Sequence, residues 1–163
     1  MRVSERPLVQ SVALVSVVLT VVLSVLPAFV RNLRASRFAE PLDGLAFIAA
    51  RATLLAAGRP VESAYPPAAP LTPAAVPRGE LVVDPAGTWD HPTWRVLDFR
   101  PDEPHAYAFT FDSLNALDGS SFEAIARGDL DGDGSTSTFT IRGDYAKDGT
   151  PTVEQVAMHR EVE

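Results

Sequence analysis

LVQSVALVSVVLTVVLSVLPAFV, residues 8–30, carries no charged side chain. As a helix rising 1.5 Å per residue it spans roughly 30 Å or slightly more, the thickness of a bilayer core. The fold expected for the rest of the chain turns on this stretch. A core helix this apolar needs enclosing layers, and no later segment is apolar enough to supply them. A cleaved secretory signal is the competing reading. Its apolar region runs roughly 7–15 residues to a small-x-small site, whereas this one is longer and runs into Phe29, Val30 and Arg31. The sequence therefore predicts a retained single-pass membrane helix over 8–30, behind a short tail at 1–7.

The polar residues of the span share a side. With Gln10 at zero, Ser16, Thr20 and Ser24 fall at roughly 240°, 280° and 320° around the helix, while Ser11 lies off that face. Small hydroxyl side chains let helices approach closely in lipid and bond across the contact, and Gln10 adds an amide that is costly to leave unpaired there. Gln10, Ser16, Thr20 and Ser24 are accordingly the predicted packing face; bonding of the hydroxyls back to their own helix is the plainer alternative. Pro27 removes one helical donor near the outer end and predicts a kink.

Charge divides the chain. Residues 1–37 hold five arginines against Glu5, a net +4, so −11 falls on the remainder of a chain whose total is −7. A domain that acidic repels nucleic acid, which argues against DNA binding. It suits carboxylate contacts to divalent cations. The chain has no cysteine, which excludes disulfides and thiolate metal sites. Arg2 and Arg6 flank one end of the span and Arg31, Arg34 and Arg37 the other, so charge bias alone slightly favours the second end in the cytoplasm.

Beyond the span, Phe38, Leu42, Leu45, Ile48, Ala52 and Leu55 recur at three- and four-residue spacing. This predicts an amphipathic helical extension over 31–58, stopped by Gly58-Arg59-Pro60, with a kink at Pro41 and Gly44. Residues 59–92 are rich in proline and alanine, and predict a surface loop region rather than a packed element. From 93 to 163 the pattern turns to strands. Tyr107, Phe109 and Phe111 alternate with Ala108 and Thr110, and Phe122–Arg127 and Thr136–Arg142 alternate about a DGDG turn, with a last candidate at Thr152–His159. The fold class expected is α+β: a long N-terminal helix, membrane-spanning and then amphipathic, packed on three or four antiparallel strands. Trp89, Trp94 and Phe99 are expected to plug the helix–sheet interface.

One stretch carries candidate chemistry. Asp129, Asp131 and Asp133, followed by Gly134, match the first half of a calcium loop, in which oxygens at alternate positions converge about a sharp glycine turn. The twelfth position, normally a bidentate glutamate, is Thr140, in a predicted strand. Asp144 and Asp148 are the only acids from the next turn that could complete the set. The alternative is a solvated acidic hairpin tip whose residues suit left-handed turns. Ca²⁺ is thus the one candidate cofactor. His91, His105 and His159 lack ligand spacing, Ser120-Ser121 lies in a predicted turn, and no phosphate loop, nucleophile elbow or zinc motif is present. No catalytic residue, no enzymatic activity and no small-molecule substrate is expected.

LPAFVRNLRASRFAE, residues 26–40, resembles the segment that follows the membrane-embedded half of the first helix in type IV pilins and pseudopilins, where a proline, a small residue, an aromatic and a basic-rich turn recur in that order. PTWRVLDFRPDEPHAYAFTFD (92–112) and FEAIARGDLDGDGSTSTFTI (122–141) are similar to the sheet region of pilin-like proteins of the myxobacterial type. Aligned on Pro27, the resemblance places the family's membrane glutamate on Gln10, its mature N-terminus on Arg6 and its cleavage glycine on Glu5. The chain thus lacks both the prepilin cleavage glycine and the membrane glutamate. The resemblance implies an inner-membrane protein with a cytoplasmic N-terminus and a periplasmic domain, partnered by the membrane and, through the N-terminal helix, by other pilin-like subunits. It implies a structural subunit or accessory of a type IV pilus or type II secretion-like filament. The alternative is a membrane-tethered periplasmic binding or adaptor module, derived from a pilin that no longer assembles, with a calcium-binding acidic loop.

Overall fold

The computed structural model describes residues 38–147 and 149–159. Helix α1 covers 38–57 and buries Pro41, Leu45, Ile48, Ala49, Ala52 and Ala56. These positions recur every three or four residues, so they form one face of the helix. That face is rotated from the one expected, because Leu42 points outward and Leu55 is only half-buried. The helix runs unbroken through Pro41 and Gly44, where a kink or brief break was expected. Gly44 serves packing instead: a Cβ there would stand 2.8 Å from the Phe109 ring, so its absence lets the helix backbone lie against the sheet.

A 3-10 turn at Val61–Ser63 leads to strand β1 (Ala69–Thr72). Helix α2 follows at Pro92–Leu97, then β2 (Tyr107–Leu114), β3 (Gly119–Gly128), β4 (Ser137–Ala146), β5 (Thr152–Val153) and β6 (Ala157–His159). All pairings are antiparallel, in the order β1-β2-β3-β4-β5, with β6 also on β4. The register places Phe109 opposite Ala126, which faces Phe139, and Phe111 opposite Ala124, which faces Ile141. Large, small and large side chains therefore alternate across the buried face, which fills it without overlap. Gly128 lies under the Tyr107 ring and Gly143 under the Phe122 ring, where any Cβ would collide.

α2 is built from its own ends. The His91 side chain caps it by accepting from the Thr93 N–H (3.3 Å), Pro92 occupies the first turn, and Asp98 closes it in a left-handed conformation. Trp94 is fully buried and its indole N–H donates to the Thr72 hydroxyl at 2.9 Å, tying α2 to β1. Trp89, Trp94, Phe99 and Phe109 form one aromatic cluster with centroids 5.0 to 6.3 Å apart.

Several expectations are corrected here. The sheet has six strands rather than three or four, because β1 forms inside the proline- and alanine-rich region and the last candidate splits into β5 and β6. Proline is tolerated there because β1 is an edge strand. Ser120-Ser121 lies on β3 and not in a turn. The transmembrane, single-pass and inner-membrane expectations are corrected as well: among the described residues no helix is long and apolar enough to cross a membrane. The 8–30 segment that carried them, with Gln10, Ser16, Thr20, Ser24 and Pro27, lies outside the described residues.

Glu40 fastens α1 to the start of β2. Its carboxylate accepts from the Ala106 N–H (3.1 and 3.2 Å) and the Tyr107 N–H (3.1 Å). Burial pushes its carboxyl above the usual 4.5, outweighing the lowering by those amides and by His105. The folded chain then holds this proton to higher pH than the unfolded chain does. The resulting stability is present below pH 4.5 and is lost as pH rises through the raised value. Glu40→Gln cannot titrate, so its melting temperature should gain on the parent as pH rises from 4.5 through the raised value. A difference that stays constant across that range would remove the assignment.

Candidate functional site

The β3–β4 connection folds around Asp129, whose side chain is 2% exposed. One carboxylate oxygen accepts from the Gly132 N–H (2.9 Å), the other from the Gly134 N–H (3.1 Å). Both glycines have positive φ, 77° and 93°, which aims their amides inward. The Asp129 carbonyl accepts from the Gly79 N–H at 2.8 Å, and the Arg78 guanidinium stands 4.0 Å from the carboxylate. Asp131 and Asp133 are exposed and accept from the Asp133 and Ser135 amides at 3.0 and 2.6 Å. One oxygen from each of the three carboxylates lies within 4.8 Å of the others.

The three aspartates picked from sequence are therefore brought together. The acids expected to complete the set are not. Asp144 pairs opposite Ser121, towards the other end of the β3–β4 ladder, Thr140 is locked into β4, and Asp148 lies outside the described residues. A calcium ion takes six to eight oxygens, so three carboxylates need help from backbone carbonyls and water. Asp129 meanwhile holds two loop amides from a buried position, whereas Asp131 and Asp133 each accept one at the surface.

A second cluster has no counterpart in the sequence reading. Asp84, between α1 and α2 in the chain, accepts from the Trp89 indole N–H at 2.6 Å, and the same oxygen lies 2.8 Å from His105 Nε2. His105 Nδ1 lies 2.8 Å from the Tyr107 carbonyl, which can only accept, so Nδ1 carries a hydrogen. Both ring nitrogens are occupied, which leaves none for a nucleophile or a metal. The missed signal was a separation of 21 residues between Asp84 and His105, with no motif to link them.

This cluster lies in the wall of an open cavity of about 980 Å³. It is lined by Phe47, Trp89 and Phe99 together with five carboxylates and two arginines. Phe47 also belongs to the outward face of α1. Leu42, Phe47 and Leu54 are 41%, 45% and 66% exposed there, interspersed with exposed Ala46, Ala50 and Ala57. Asp43 is the only exposed charged side chain between 38 and 57, since Glu40 bonds to β2 and Arg51 donates to the Leu97 carbonyl at 3.1 Å.

No protein-family model matches this chain, and no curated protein or solved structure matches it either.

The acidic loop makes a metal-free prediction. Without divalent cations, Asp129→Ala should destabilise by about 1–3 kcal/mol, because it strands the Gly132 and Gly134 amides. Asp131→Ala, at an exposed site, should stay within roughly 0.5 kcal/mol of the parent. Denaturant midpoints measure both, and equal losses would show that Asp129 has no special role.

Proposed function

We propose that this chain is a non-enzymatic structural subunit, pilin-like in build, that joins other subunits through the outward face of α1. The observation that carries this reading is the composition of that face. Large apolar side chains on a helix are normally enclosed, and among the described residues nothing covers Leu42, Phe47 and Leu54 fully, at 41%, 45% and 66% exposed. Leu42, Phe47 and Leu54 at the surface, with a single charge among them, form a contiguous apolar strip of the kind that marks an interaction site. The likeness of 26–40 to pilin first helices supports a filament of the type IV pilus or type II secretion kind as the assembly. The occupied nitrogens of His105 support a non-catalytic role for the most enzyme-like cluster.

Phe47→Glu and Leu54→Glu place charge on this strip; Leu54 is 66% exposed, whereas Phe47 also packs on Phe99 at 6.1 Å, so Leu54→Glu is the variant that leaves the core untouched. Each should reduce self-association of the full chain, read by sedimentation velocity, and the melting temperature of Leu54→Glu should hardly move. Unchanged association in the double variant would overturn the reading.

The convergence of Asp129, Asp131 and Asp133 favours a second reading, a calcium-dependent binding module. On that reading, millimolar Ca²⁺ raises the melting temperature of the parent but not of Asp131→Ala. No shift in the parent, or an equal shift in the variant, sinks it.

A further inference from the structure

The cavity beside Phe47 and the segment just ahead of α1 are opposite in charge. Around the cavity stand Asp84, Asp90, Asp98, Asp102 and Glu103 against Arg95 and Arg100. Both arginines are already held by lining acids, Arg95 by Asp90 at 3.0 Å and Arg100 by Asp102 at 3.1 Å, while Arg51 of α1 stands 3.7 Å from Asp98 and Asp84 is bonded to His105. Glu103 is exposed and has no ion-pair partner among the described residues, and Asp102 is 78% exposed. Five acids against Arg95, Arg100 and the neighbouring Arg51 still leave an excess of negative charge, beside the half-exposed Phe47 ring. Such a surface fits guanidinium groups, which pair with carboxylates through a planar fork and stack on aromatic faces. Residues 31–37, RNLRASR, carry three arginines at three-residue spacing, one leucine and no acid. They are the densest positive segment of a chain that is otherwise acidic.

We infer that the cavity receives the 31–37 segment of a second copy of this chain. This rests on the assembly role proposed above and gives it a direction. The α1 strip alone can pack against its own counterpart and close as a two-fold dimer. A segment that fits a different surface on the next copy makes a heterologous contact, leaving one donor and one acceptor free at the ends of the chain of subunits. Growth then continues. Phe47 belongs to both the α1 strip and the cavity lining, so the two contacts adjoin.

The test reverses charge on each side in the full chain. The acceptor variant is Asp102→Arg with Glu103→Arg; the donor variant is Arg31→Glu, Arg34→Glu and Arg37→Glu. Sedimentation velocity should show each variant alone stopping at small species, and an equal mixture of the two recovering larger ones, because each cavity then meets a segment of opposite sign. A mixture that recovers nothing overturns docking by a second copy. A separate arm is independent of the α1 strip. A synthetic RNLRASR peptide should bind the donor variant carrying Leu54→Glu, read by tryptophan fluorescence. Binding should weaken at least about tenfold when the two acceptor substitutions are added, and it should fall with salt. Equal peptide affinity with and without those substitutions overturns the cavity as the receptor. Peptide binding with recovery absent only from the mixture assigns the cavity to the chain's own segment and overturns the inference. If the Leu54→Glu chain no longer self-associates but binds the peptide, both contacts stand. If Leu54→Glu leaves association intact while the acceptor substitutions abolish it, the α1 strip fails and the cavity contact survives.

Discussion

The contact between the Gly44 backbone and the Phe109 ring sets the spacing on which the described fold depends. A Cβ at position 44 would overlap that ring at 2.8 Å, so the helix lies as close to the sheet as a backbone can. Phe109 is 1% exposed and packs edge-on against Phe99 at 5.0 Å, with Trp89 at 6.3 Å. Burying a phenylalanine of this kind contributes roughly 1.5–3 kcal/mol, and its neighbours gain comparable amounts only while the helix stays at that distance. Glu40, one turn earlier, fixes the same approach by accepting the first amides of β2.

That packing explains why polar groups are buried next to it. The chain from Asp84 to His105 wraps the aromatic cluster, and its indole and imidazole N–H groups are thereby cut off from water. Asp84 accepts from the indole and shares a 2.8 Å hydrogen bond with His105 Nε2, and the Tyr107 carbonyl takes the imidazole Nδ1–H. A buried polar group left unpaired costs about 1–3 kcal/mol, so this arrangement is a condition of wrapping. The cavity is the space this segment leaves beside α1, and its acidic rim follows from the aspartates and glutamate of the same segment.

Much of the sheet was legible in the sequence because its signals are local. Alternation of Tyr107, Phe109 and Phe111 marked β2, and DGDG marked the β3–β4 turn, with Gly132 and Gly134 at positive φ as that chemistry requires. β1 was hidden because its residues, Ala-Pro-Leu-Thr, have no strand pattern of their own; the Phe109 and Phe111 backbone recruits them at the sheet edge. In the acidic loop the three aspartates were found by spacing. Spacing did not reveal that Asp129 is buried and holds two glycine amides, where the Arg78–Asp129 bridge brings a distant segment against it.

The apolar run at 8–30, the arginines at 31–37 and the acidity of everything after them are properties of the sequence itself, as are the helical period after residue 38 and the alternating strands. Which face of α1 turns inward was decided by tertiary structure. Leu42 and Leu54 fit a buried face as well as Leu45 and Ile48 by composition, and the choice fell to the face carrying Gly44, since only that one can meet Phe109 closely. The pairing of Asp84 with His105 and the cavity they border were decided the same way. Both depend on groups far apart in the chain meeting over a shared core, and no local spacing records that.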